Sequence, residues 1–207
     1  MRLQDAEKSI HEERDSWVRL QNVRRIPGGL GLSFSVHRGR RGKRTDGWDV
    51  ECRGIHEAMI TEVDGGGFRL FPNNHPAARQ YSAPRAELRW SRTCDEAKTL
   101  AALFLAHVAE TDDWIPFDRY LRINTPWNGT SFLPHFAPVS GRNFVCRGPD
   151  FLIRVYARAL EAIGEKVKVT IRRSNQRRTA VRPMVLHFGV SYVVAESFTA
   201  QRNAFVK

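Results

Sequence analysis

Strict alternation of apolar and polar residues recurs along this chain, and that period of two limits the fold more than any other feature. Leu30, Leu32, Phe34 and Val36 alternate with Gly31, Ser33, Ser35 and His37, and Trp48, Val50 and Cys52 alternate with Asp49, Glu51 and Arg53. Val167, Val169 and Ile171 alternate with Lys166, Lys168 and Thr170, and Leu186, Phe188, Val190, Tyr192 and Val194 fall on one side of a long apolar run. Side chains on a strand point to opposite faces in turn, so this pattern predicts half-buried antiparallel strands. A further hairpin is expected at 58–72, where Asp64-Gly65-Gly66-Gly67 separates two apolar runs.

Two segments carry a helical period instead. Over 94–110, Thr93 and Glu96 have capping-box spacing, and Ala97, Leu100, Ala101, Phe104 and Val108 share a face. Over 149–163, Leu152, Val155, Tyr156, Ala159, Leu160 and Ile163 form the apolar stripe, with Pro149 at the first turn and Gly164 past the end. A thin stripe of Leu3, Ala6, Ile10, Trp17 and Leu20 predicts an N-terminal helix. The expected architecture is α+β: an antiparallel sheet of β-hairpins, two main packing helices and an N-terminal helical appendage over 1–22. Residues 23–207 are expected to form a single domain, with a possible internal boundary in the Pro- and Asn-rich loop near 73–86. A strand at 143–147 would give the last third a β-α-β-β order compatible with a ferredoxin-like half, an order shared by proteins of unrelated function.

Charge narrows the function. The 207 residues hold 33 Lys and Arg against 22 Asp and Glu, a net charge of +11. Ten of those cations lie in two acid-free tracts. Residues 38–44 supply Arg38, Arg40, Arg41, Lys43 and Arg44, and residues 172–182 supply Arg172, Arg173, Arg177, Arg178 and Arg182. The rest of the chain is close to neutral, so the basic surplus is local. Each tract lies between two alternating stretches, which predicts two β-hairpins with Arg-rich tips. Guanidinium groups bind phosphate bidentately, and cationic tips on stiff arms suit a polyanion.

The expected function is therefore non-catalytic nucleic-acid binding. Lys166, Lys168 and the two tracts would contact phosphates, and Tyr81 and Trp127 in loops would stack on unpaired bases. RNA or single-stranded DNA is favoured over duplex, because neither main helix has a basic face to lie in a groove. Other proteins of a nucleoprotein complex are the alternative partners, the chain then being a component or inhibitor of such an assembly.

An enzymatic alternative is a metal-independent nuclease. His187 would act as base beside the cations of a neighbouring strand, Lys166, Lys168 and Arg172, and His37 holds an equivalent polar-face position. A weaker alternative is a metal-dependent site at Asp49 and Glu51, two residues apart on one strand face. Cys52, Cys94 and Cys146 are widely spaced and odd in number, which indicates neither a zinc site nor a disulfide framework, and no cofactor is expected. The acidic, polar start is unlike a signal peptide, and apolar runs fall short of a membrane span. The expected location is cytoplasmic.

Overall fold

The computed structural model describes residues 3–4, 7–8, 16–38, 44–61, 64–65, 67–91, 95–121, 123–124, 135–136, 143–172 and 182–203. The fold is α+β with antiparallel sheets. The chain divides into two compact units: residues 1–79 with 180–207, and residues 80–179. In the chain the second unit is inserted between residues 79 and 180 of the first.

The first unit is built from β1 (Trp17–Ile26), β2 (Gly29–Arg38), β3 (Arg44–Met59), β4 (Asp64–Gly65), β5 (Phe68–Phe71), β11 (Met184–Phe188) and β12 (Ser191–Asn203), in the sheet order β4-β1-β2-β3-β12-β11-β5. The two edges of this sheet are consecutive in the chain. From Gly65 to Phe68 is three Cα steps, at most about 11 Å, so β4 and β5 follow one another as the two pieces of one interrupted strand, and counting them as one the sheet closes into a six-stranded barrel. Its interior is filled by inward-facing side chains of every long strand. Phe34 meets Phe188 (ring centroids 5.0 Å) and Phe68 (5.4 Å) edge-to-face, among Leu20, Leu32, Val36, Trp48, Val50, Leu186 and Val193. Each such aromatic pair adds about 0.5–1.5 kcal/mol to the burial of its surface.

Two tight turns need glycine. Pro27-Gly28 joins β1 to β2 with Gly28 at φ 74°, and Gly189-Val190 joins β11 to β12 with Gly189 at φ 62°. The long apolar strand expected through Val190 is thus a hairpin. The N-terminal helix is also corrected. Leu3, Gln4, Glu7 and Lys8 are helical, and Leu3 is buried against the barrel, but Trp17–Ile26 is strand β1. Val18 and Leu20 point inward, and a bulge between Leu20 and Asn22 then breaks the alternation. The hairpin expected at 58–72 does not form either: β4 pairs with β1 and β5 with β11, so the glycine run carries the chain between the sheet's two edges.

The second unit holds β6 (Arg85–Ser91), β9 (Asn143–Pro149) and β10 (Val167–Arg172) in the order β10-β6-β9, and a two-stranded pair, β7 (Ile123–Asn124) with β8 (His135–Phe136). Its helices are α2 (Glu96–Thr111) and α3 (Asp150–Ala162), while α1 (Pro76–Ser82), expected as loop, carries the boundary between units. Since β6 is antiparallel to both neighbours, β9-α3-β10 is a split β-α-β unit around β6. The final strand of a ferredoxin-like half is missing, because β11 belongs to the barrel. Helix α3 packs on this sheet, and Phe151, Leu152, Ile153, Tyr156 and Leu160 are buried with Leu88, Trp90, Phe144 and Cys146.

Helix α2 starts at an N-cap on Asp95, whose carboxylate accepts from the Ala97 amide; Thr93, expected there, lies outside the described residues. Its buried residues are Thr99, Leu103, His107 and Thr111, not the more apolar stripe through Phe104. Hydrogen bonds make that polar face tolerable in the core: His107 Nδ1 accepts from the Tyr156 hydroxyl (2.7 Å), and its Nε2–H donates to the Ile115 carbonyl (2.6 Å). No described helix is long and apolar enough to cross a membrane.

Candidate functional site

Strand β6 sorts Arg-Ala-Glu-Leu-Arg-Trp by parity. Ala86, Leu88 and Trp90 enter the core under α3, which sends Arg85, Glu87 and Arg89 to the opposite face of the three-stranded sheet. Register then aligns their neighbours. Glu87 stands between Thr170 on β10 and Arg147 on β9, and Arg89 between Lys168 and Val145. Arg172 is opposite Arg85.

Glu87 organises this face. Its carboxylate accepts from Arg147 Nε at 2.7 Å and from Arg89 Nε at 2.5 Å, and these two bonds hold its pKa down at about 2, against the opposing effect of burial. The Glu87 side chain is 5% exposed, covered by its own partners, whereas those of Arg147 and Arg89 are 58% and 59% exposed. Both bonds engage Nε, the guanidinium nitrogen nearest the side chain's stem. Two planar forks are therefore fixed at their bases and presented to solvent. Arg85 and Lys168 are exposed beside them, with the Arg85 guanidinium 5.6 Å from the Tyr120 ring. Four cations against one carboxylate give the patch a net charge of +3. Such an array binds anionic oxygens, since guanidinium groups pair with phosphate bidentately.

Of the residues singled out from sequence, Lys166 and Lys168 are exposed at β10, and Arg182 is exposed just before β11. The second tract is not a hairpin tip. Strands β10 and β11 belong to different sheets, and 172–182 runs from one unit into the other. Arg173, Arg177 and Arg178 lie outside the described residues, as do Arg40, Arg41, Lys43 and Trp127. The first tract does connect a hairpin, since β2 and β3 pair as far as Arg38 opposite Arg44. Arg38 itself is 6% exposed, and its Nε donates to Asp46 at 2.8 Å, so it is a buried ion-pair partner and not part of a projecting tip. Arg202 reaches the same carboxylate at 2.6 Å. Burial alone would raise the Asp46 pKa, but Arg202 and Arg38 outweigh it and hold it below the usual range. Tyr81, on α1 and not in a loop, accepts a bond from Arg119 at 2.9 Å and lies under its guanidinium.

The nuclease candidates lie on strands of the first unit's sheet. His187 lies between Tyr192 on β12 and Arg69 on β5, so Lys166, Lys168 and Arg172 are not on its neighbouring strands. Partial burial and then the Arg69 charge push its pKa down. His37 has both ring nitrogens beside hydroxyls, Nε2 at 3.0 Å from Ser35 and Nδ1 at 3.2 Å from Thr45. Asp49 accepts from Asn203 at 2.6 Å, and Glu51 pairs with Arg53 at 2.9 Å. Among the described residues, no group of three or more His, Cys, Asp or Glu is placed to hold a metal ion.

Arg85, Arg89 and Arg147 are not evident in the sequence because each stands alone between uncharged residues, where no run of cations marks it. The Arg-x-Glu-x-Arg spacing of 85–89 was the available clue, since period two puts all three on one face. No protein-family model matches the chain, and neither a curated protein nor a solved structure matches it.

Proposed function

We propose that the protein binds nucleic acid without cleaving it, through the cationic face of the three-stranded sheet together with the basic tracts. The observation that carries this reading is the Arg89–Glu87–Arg147 arrangement, in which a shielded carboxylate fixes two exposed guanidiniums beside Arg85 and Lys168. A carboxylate meant only to neutralise charge needs one partner. Here it spaces two, and a net +3 remains. RNA or single-stranded DNA is the favoured ligand. A sheet face suits an unpaired strand, and the described helices have little basic surface: α2 has Lys98 alone, and α3 has Arg154 and Arg158 beside Glu161.

The test is fluorescence anisotropy of labelled single-stranded RNA, single-stranded DNA and duplex DNA across a salt series. Contacts by the four sheet cations alone predict a log–log slope of about −3 on a single strand, and contributions from the tracts steepen it. Replacing Arg147 and Lys168 together by Gln should flatten the slope by about 1–1.5. Absence of binding to all three polymers at low salt would overturn the proposal and leave a protein partner as the reading to pursue.

A further inference from the structure

Helix α2 is inverted for an amphipathic element. A surface helix ordinarily buries its most apolar face, yet α2 buries Thr99, Leu103, His107 and Thr111. Its inward hydroxyls are satisfied by the helix itself: Thr99 donates to the Asp95 carbonyl (3.1 Å) and Thr111 to the His107 carbonyl (2.9 Å). The outward side is apolar instead. Of its sixteen residues six are exposed, namely Ala97, Lys98, Ala101, Phe104, Leu105 and Ala109, and Lys98 alone among them is charged. Leu105 is 69% exposed, and Phe104, at 46%, is held edge-to-face on Phe117 with centroids 5.2 Å apart. Large apolar side chains gathered on the solvent side of a helix mark a surface that is covered in use.

The charges along this face say what covers it. Lys98 and Asp112 each lie seven residues from Leu105, about two turns to either side, so the three fall nearly in line along the helix. Both are exposed, Asp112 as the residue that caps the C-terminal end. The order of the pair opposes the helix macrodipole, which favours a carboxylate at the start and a cation at the end. The helix by itself therefore does not account for it. Glu96 and Glu110, the other charges of α2, are only partly exposed.

A second α2 laid antiparallel over the first makes that order favourable. A two-fold axis beside Leu105 sets this side chain against its own copy and Ala101 against Ala109. The same axis brings Lys98 to Asp112 of the second copy, once at each end, as a self-complementary interface requires. We infer that α2 is a homodimerisation surface, pairing antiparallel about Leu105 with α2 of a second copy of this chain. A lipid surface suits the face less well, because helices that lie on membranes flank their apolar strip with several cations. The helix is about 24 Å long, so the pair buries less than the roughly 1,200 Å² of a standard interface. A reversible dimer with a Kd of about 1–100 μM is expected. The pairing does not depend on the nucleic-acid reading.

The experiment is sedimentation velocity of the full chain, treated with nuclease so that no polyanion bridges copies, at concentrations spanning that Kd. Wild type should pass from monomer to dimer. Leu105→Glu puts two carboxylates on the axis and should raise Kd by more than about 100-fold. Lys98→Glu and Asp112→Lys should each raise it by about 3- to 30-fold, and combining the two should restore it to within about threefold of wild type. A wild type that stays monomeric overturns the proposal, and its capture by phosphatidylcholine vesicles would name a lipid surface instead. A dimer indifferent to Leu105→Glu forms elsewhere and overturns it as well. If the combined charge exchange restores nothing that the single changes lost, the antiparallel pairing is refuted. Should Leu105→Glu fail to fold, the charge exchange decides alone.

Discussion

Replacing Glu87 by Gln removes one charge from the second unit while keeping the side chain's shape. The pKa drop from 4.5 to about 2 sets a ceiling of about 3 kcal/mol, since each unit is about 1.4 kcal/mol. Arg89 and Arg147 are more than half exposed, so water and ions screen the interaction, and about 1–2 kcal/mol is the expected cost at pH 7. The pH dependence follows from the sign of the shift. A carboxyl whose folded pKa lies below its unfolded value contributes fully above pH 4.5 and loses its contribution as pH falls through about 2. The gap between wild type and Glu87→Gln should therefore be constant from pH 7 to 5.5, less than half as large at pH 3, and nearly closed at pH 2. Urea unfolding at each pH, with peptide-resolved hydrogen exchange over residues 85–91 to assign the transition, measures it. An equal cost at pH 3 and pH 7 would refute the electrostatic account and trace the loss to packing of the amide; no cost at pH 7 would refute the pairing altogether.

Three other perturbations probe the two cores. Tyr156→Phe leaves His107 Nδ1 buried without its donor and should cost about 1–3 kcal/mol in urea melts, though only one oxygen is lost. Gly29→Ala would put a Cβ 1.9 Å from the Cys52 backbone carbonyl, so β2 and β3 must part; a loss of about 2–3 kcal/mol or more is expected by thermal or urea melting. Burial pushes the Cys52 and Cys146 thiols up to about 12, so both should resist a thiol reagent at pH 8 in the folded protein and react once it is unfolded, as mass spectrometry of labelled peptides would show.

Local pattern was legible where one physical effect dominated. The β2/β3 hairpin and helix α3 followed from parity and from a strong apolar stripe. The buried face of α2 did not, because Thr99, His107 and Thr111 are admitted to the core by hydrogen bonds, which hydropathy does not register. The β11/β12 turn was hidden for a geometric reason. Two residues, Gly189 and Val190, preserve the alternation across the reversal, so two strands have the same pattern as one. Strand β1 was obscured by the opposite effect, its bulge shifting the parity at Gln21. The same logic governs the site. The cations at 166 and 168 were found because they alternate along one strand, whereas Arg147 joins them only through the pairing of β9 with β6, a long-range fact absent from any local window.

The least local feature is the insertion, and it makes the sharpest claim about folding. Strands β5 and β11 are hydrogen-bonded antiparallel neighbours, with Phe71 opposite Val185, yet the whole second unit lies between them in the chain. Paired residues have Cα atoms about 5 Å apart, so a turn of a few residues could join these strands directly. Among the described residues, the barrel's core cluster is built from the first unit and the other core cluster from the inserted unit. A chain in which residues 73–183 are replaced by a short Asn-Gly turn should therefore retain the barrel. It should unfold cooperatively in urea, and Trp48 should keep the emission of a buried indole, since Trp48 packs among barrel residues alone. A shortened chain without cooperative unfolding would show that the barrel needs the insertion to close. A folded one would allow the first unit's contribution to be titrated apart from the Arg89–Glu87–Arg147 face, and the salt slopes of the full and shortened chains would then apportion the phosphate contacts between the units.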